Sequence, residues 1–155
     1  MINHQRSAIA GIVLAASTLV GIAVHEGYSD TPIIPVPGDV PTVGFGRTTD
    51  VQPGKTTVQR ELIALLADME GRKAAIAGCV SVPLHQHELS AYMSLTYNIG
   101  TRAFCGSTLV KRLNSGDYAA ACQQILVWDK FKGKPLRGLT IRRQAEYKQC
   151  IGDTE

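Results

Sequence analysis

"HEGYSDTPIIPVPGDVPTVGFGRT", His25 to Thr48, follows eighteen residues without a charge, and its first two side chains are a histidine and a glutamate. Pro32, Pro35, Pro37, Gly38 and Pro41 forbid a helix here, so the chain must turn and run extended through "VPTVGFGRTTDV". A small β-hairpin region is therefore expected. Gly44 and Gly46 alternate with Val43 and Phe45, a pattern that weakens a strand but lets a ligand or another backbone come close. Taken alone, Glu26 is as readily a solvated boundary residue, and Asp39 in "PGD" as readily turn chemistry.

The run before this stretch, "SAIAGIVLAASTLVGIAV" from Ser7 to Val24, has Arg6 on its amino-terminal side, a charge that biases that end toward the cytoplasm. As a helix it would reach roughly 27 Å, slightly short of a hydrocarbon core of about 30 Å. Ten of its eighteen residues are Ala, Gly, Ser or Thr, so membrane insertion should be marginal. Three readings stay open: a permanent anchor, a signal peptide cut after Ala23, and an anchor that later leaves the bilayer. Cleavage would leave Glu26 near a frayed terminus, where no helix fixes its position.

Forward of the hairpin, Thr56-x-x-Gln59 matches a capping box, and Leu62, Leu65, Leu66 and Met69 at helical spacing predict a helix toward Ala77 that joins two lobes. A second helix follows Pro83 and stops at Gly100; its apolar content makes it the expected central core helix. Ser107 should open a short helix ended by "NSG", and Asp117 another reaching about Trp128. A basic loop, "DKFKGKPLRG", precedes a last helix from Leu139 to Cys150. The expected class is α+β, a small hairpin lobe beside a larger helical lobe, with residues 1–24 as a separate anchor segment and 25–155 as one domain.

The net charge of +3 is modest, but ten of the basic residues lie from Ile76 onward against six acidic ones, so that half favours an anionic partner. No block of consecutive basic residues argues for nucleic acid. Cys79, Cys105, Cys122 and Cys150 are too widely spaced for a metal knuckle, which leaves two disulfides if the compartment oxidises. Four cysteines allow three pairings, of which Cys79 with Cys105 and Cys122 with Cys150 is preferred. His85 and His87 stand two apart, on different faces of a helix, so neither a metal nor any other cofactor is expected. Cys105 has no firm base partner and reads as structural.

Glu-Gly at a helix end, then "PTVGFGRT", "LTYNIG", "STLVKRLNSGDYAAAC" and "GLTIRRQAEYKQC", in that order, resembles the tailed-phage lysozymes, the muramidases of glycoside hydrolase family 24. The likeness covers nearly everything from residue 25 onward, and Ser7–Val24 looks like the signal-arrest-release anchor that some of these endolysins carry. The resemblance implies hydrolysis of the β-1,4 bond between N-acetylmuramic acid and N-acetylglucosamine in peptidoglycan. It implies a monomer held briefly at the periplasmic face of the host inner membrane and then released to the periplasm. Glu26 and Thr42 match the family's catalytic Glu and Thr, whereas the position of its Asp is occupied here by Pro35. Asp39 is the preferred substitute, Asp30 the competitor, and Thr42 with a backbone group a third possibility. Asn98 from "TYNIG" and Arg143 of "IRR", preferred over Arg142, carry over as substrate contacts, with Arg143 a possible partner of Glu26.

Breaking a glycosidic bond needs a proton for the leaving oxygen and a stabilised positive ring, so two carboxyl groups in different environments are the working minimum. Desolvation at a helix end is what keeps such an acid loaded near neutral pH, which assigns the donor role to Glu26 and the carboxylate role to Asp39. The resemblance implies inversion, with the carboxyls about 6.5 to 9.5 Å apart and Thr42 holding the attacking water. A lytic transglycosylase, which needs no water-activating Asp, and a non-catalytic membrane-anchored wall-binding protein are the rivals.

Overall fold

The computed structural model describes residues 5–35 and 37–153; the ends of the expected anchor segment and domain, residues 1–4 and 154–155, lie outside them, as does Val36 in the hairpin connection. The described chain forms two compact units, one from residues 16–71 and one that joins residues up to Ala15 with those from Arg72 onward.

The first unit opens with α1, Ala16–Glu26, in which Thr18, Ile22 and Ala23 are buried and Glu26 is the last residue. Gly27 follows at φ +70°, a left-handed position that ends the helix and turns the chain toward the hairpin. Strand β1, Ser29–Ile33, pairs antiparallel with β2, Thr42–Gly44, in a register broken by a bulge between Ser29↔Gly44 and Ile33↔Thr42. Pro35, Pro37 and Pro41 lie in the connection between the strands, where no ladder needs their missing amide donors, while Pro32 sits within β1. Helix α2, Val58–Cys79, begins in this unit and ends in the other. Its start is capped by Thr57, whose Oγ1 accepts from the Arg60 amide at 3.2 Å, and not by Thr56, whose hydroxyl turns to Glu61 instead.

The second unit is helical. Helix α3, Gln86–Ile99, is buried without a break from Glu88 to Thr96, and it packs mainly on α7, Arg137–Cys150. Leu89, Tyr92, Met93 and Leu95 are at most 1% exposed, and each side chain of this kind contributes roughly 1.5–3 kcal/mol on burial. His85 caps the helix with Glu88 as its reciprocal partner, and Gly100 closes it. Short helices follow: α4, Thr101–Cys105; α5, Thr108–Asn114, capped by Ser107; and α6, Tyr118–Gln123, capped by Asp117. A 3-10 turn, Gln124–Trp128, leads to a two-strand ribbon, β3 Lys130–Phe131 with β4 Lys134–Pro135, where a plain basic loop was expected. Lys132 and Gly133, both at positive φ, make its two-residue turn.

Both preferred disulfides are formed, Cys79–Cys105 and Cys122–Cys150, with Cα atoms 5.6 and 5.7 Å apart. The His85 and His87 rings stack at 5.1 Å, because His85 lies in the extended cap rather than in the helix, so the angular spacing assumed from sequence does not hold for this pair. Among the described residues no group of His, Cys, Asp and Glu is arranged to hold a metal ion.

The apolar run Ser7–Val24 does not form one helix. Ser7 pairs through both backbone groups with Leu84, a 3-10 turn occupies Ile9–Gly11, and the chain is extended at Ile12 before α1 begins. Ile9 and Ile12 are buried in the second unit, and the Lys73 ammonium bonds the Ile12 carbonyl at 3.0 Å. Arg6 holds the segment's outer end, with Nη2 2.8 Å and Nε 3.1 Å from the Glu88 carboxylate and its guanidinium 3.6 Å from the centre of the Tyr118 ring. Tertiary bonds of this strength outweigh the helix propensity of an Ala-Gly-Ser-rich segment, which is weak per residue. Among the described residues no helix is long and apolar enough to cross a membrane.

Candidate active site

Three of the expected site residues, Glu26, Asp39 and Thr42, lie in the unit of residues 16–71; Asn98 and Arg143 lie in the other. Glu26 is half-buried at the carboxyl end of α1. Its carboxylate stands beside Gly46, where an added Cβ would come to 3.5 Å from Oε2. Gly46 also sits at φ +80°, and it is this left-handed backbone that calls for glycine.

Thr42 is half-buried on β2, and its hydroxyl donates to the Ile33 carbonyl at 3.4 Å. The next residue, Val43, closes a tight turn with Arg47 through both backbone bonds, at 3.0 and 2.9 Å. Gly46 lies inside that turn. One short backbone segment thus joins Thr42 to the surroundings of the Glu26 carboxylate.

The two candidate aspartates make other bonds. Asp39 is exposed in the connection between the strands, and its Oδ1 accepts from the Val40 amide at 2.9 Å. Asp30, on β1, pairs with Lys55 at 3.4 Å while its carbonyl accepts from the Thr56 amide. Asn98 and Arg143 are brought together: Arg143 Nη2 donates to Asn98 Oδ1 at 2.7 Å. Arg143 itself is wholly buried, 3.1 Å from Glu146, and burial holds its guanidinium below its ordinary pKa while Glu146 opposes the shift. Its Nε has no hydrogen-bond partner among the described residues. Glu146 also accepts from Ser94 at 2.6 Å and from Arg142 at 3.2 Å, so one carboxylate ties α7 to α3.

Sequence reasoning passed over Arg47 and Glu61. Glu61 is 1% exposed and accepts from Arg47 Nε and Nη2, both at 2.8 Å, and from Thr56 Oγ1 at 2.7 Å. The Arg47 bonds hold the Glu61 carboxyl below its usual range, and the same bond raises Arg47. A signal was present: Glu61, Leu65 and Met69 form one i, i+4 row, and the two apolar members are buried, so a carboxylate on that row needed a partner.

A depressed folded-state pKa stabilises the protein above the unfolded value, and the contribution is lost as pH falls through the folded one. Melting temperature should therefore drop more steeply below about pH 4 in the parent than in Glu61→Gln, narrowing the gap between them. Curves that stay parallel from pH 6 to pH 3 would show that the pair is not charged as described.

The Phage lysozyme family model matches residues 23–146. The endolysin of Acyrthosiphon pisum secondary endosymbiont phage 1 is 41% identical over 110 residues, 68% of this chain and 75% of that protein. The SAR-endolysin of Bacteriophage PS119 is 33% identical over 156 residues, covering 96% of this chain and 93% of its own length. Among solved structures, the endolysin from Escherichia coli O157:H7 phage FAHEc1 superposes with a TM-score of 0.80 at 30% identity, over 97% of this chain and 98% of that one. With the family model spanning the acid-bearing helix end, the hairpin and the helical unit, the chain belongs to the phage lysozyme family and is an endolysin, a muramidase that hydrolyses peptidoglycan to lyse its host.

Proposed function

We propose that Glu26 donates the proton to the leaving glycosidic oxygen of a peptidoglycan strand while Thr42 positions the attacking water and Asp39 supplies the second carboxylate. The single observation that carries this reading is the placement of the Glu26 carboxylate against Gly46, in the same turn that Thr42 leads into. A hydroxyl is too weak a base to act alone, so the role of Thr42 is orientation of the nucleophile. Asp39 is preferred to Asp30 because Asp30 is held by Lys55, whereas the described bond of Asp39 is to its own neighbour. Asn98, exposed and fixed by Arg143, contacts the sugar, and the wholly buried Arg143 acts through it.

The enzyme acts as a monomer in this reading. Residues 1–24 serve as the anchor segment and 25–155 as the catalytic part; Ser7–Val24 holds the chain at the periplasmic face of the inner membrane until release. The bonds of Arg6, Ser7 and Ile12 to the second unit support a released form in which the former anchor has become part of the folded body.

The test is turbidity loss of chloroform-treated Gram-negative cells with purified Asp39→Asn and Asp30→Asn proteins. General-base assistance is worth about 10²–10⁴ in rate, so Asp39→Asn should fall at least tenfold while Asp30→Asn stays within about twofold. The reverse pattern moves the role to Asp30. Full activity of both leaves the water to Thr42 and backbone groups.

A further inference from the structure

The ion pair beneath the turn after β2 has no part in the roles assigned so far, yet it is among the most fully bonded groups of its unit. Arg47 spends Nε and Nη2 on the two Glu61 oxygens, both at 2.8 Å, and Nη1 on the Thr49 and Asp50 carbonyls, both at 2.6 Å. Its backbone closes the Val43–Arg47 turn. Glu61 belongs to the first turn of α2, so the hairpin side of the site is fastened to a helix by one side chain. Gly44, at φ +64°, rests directly on Glu61: a Cβ there would collide with the Glu61 side chain. The turn backbone and the carboxylate are therefore in contact, with no side chain between them.

We propose that Arg47 and Glu61 are positioning residues of the hydrolysis, holding the 43–47 turn on α2 so that Thr42 and the Gly46 backbone keep one fixed geometry relative to Glu26. A buried ion pair is a poor means of stabilising a fold, because the loss of hydration offsets most of its attraction and an apolar pair of similar volume often does as well. What apolar side chains do not supply is direction. Four bonds from one planar guanidinium define where the turn sits, and a fork of this kind has no equivalent in lysine. Thr42 lies one residue before the turn and Gly46 within it, so a turn free to shift would move the water-holding hydroxyl and the wall beside the acid together. Misplacement of about 1 Å costs on the order of a hundredfold in rate.

The proposal rests on the roles given to Glu26 and Thr42, and its test is run beside Glu26→Gln so that the two fail separately. On solubilised glycan strands, where kcat and KM are separable, Arg47→Lys is expected to lower kcat about tenfold or more with KM within twofold. The double variant Arg47→Met with Glu61→Met is expected to melt close to the parent yet keep the kcat deficit, a split that a merely structural role would not produce. A double variant that melts like the parent and retains kcat within twofold overturns the proposal. Should the double variant not fold, Arg47→Lys assayed well below its own melting midpoint decides by the same thresholds. An inactive Glu26→Gln beside a fully active double variant overturns the positioning role alone, whereas an active Glu26→Gln overturns the site.

Discussion

Glu26→Gln is expected to lose at least two to three orders of magnitude in lytic rate while its melting temperature stays within a few degrees of the parent. General acid assistance is worth about 10²–10⁴, which at 1.36 kcal/mol per tenfold is about 3–5 kcal/mol of transition-state stabilisation. Glutamine keeps the shape of the side chain, so the end of α1, the Gly27 turn and the fit against Gly46 are undisturbed. What disappears is the transferable proton. The measurement is initial turbidity loss at matched folded concentration, with melting followed by circular dichroism. A variant that keeps a tenth of the parent rate would show that another group protonates the leaving oxygen.

Under the proposed anchor-and-release role, Glu88→Gln is expected to slow or prevent release from the membrane without touching the chemistry. Glu88 is 2% exposed and holds Arg6, while its other role is to cap α3 by accepting from the His85 amide at 2.8 Å. Glutamine can still serve the cap, since the reciprocal box accepts either residue, so the substitution isolates the bond to Arg6. A hydrogen bond to a charged group is worth about 1.5–3 kcal/mol, which shifts the docked-to-membrane ratio by roughly 10- to 150-fold. Under the proposed anchor role, a factor of this size decides where the segment resides. The assay is the share of protein left in the membrane pellet after depolarisation, together with the time to lysis. Unchanged partition and unchanged timing would mean that the Arg6 contact does not drive docking.

The features legible in the sequence were those whose physics is local. Ser107 and Asp117 cap the helices they precede because a short oxygen-bearing side chain reaches its own N3 amide in any context. Gly100 ends α3, and the proline cluster breaks the chain between β1 and β2, for equally local reasons. Glu26 was readable as the end of a helix because Gly27 follows it. The split of the apolar run was not readable, since nothing within residues 6–15 announces that Leu84, Glu88 and Lys73 will bind there. Arg47 and Glu61 were legible only in part: the row of Glu61, Leu65 and Met69 calls for a partner, but which cation supplies it appears only when the turn and α2 are placed together. The capping threonine was misassigned by one position because Thr56 and Thr57 are chemically equal, and only the presence of Glu61 separates their roles.

The pairing of Arg6 with groups far along the chain also sets a schedule. During synthesis the amino-terminal segment emerges first, but Glu88 follows it by 82 residues, and the Tyr118 ring comes later still. At about 5–20 residues per second the wait for Glu88 alone is roughly 4–16 s. For those seconds Ile9 and Ile12 have no protein interior to enter, and water is the poorest of the solvents on offer. The order in which the ribosome delivers the residues therefore leaves this strip without its protein partners until the rest of the chain has followed.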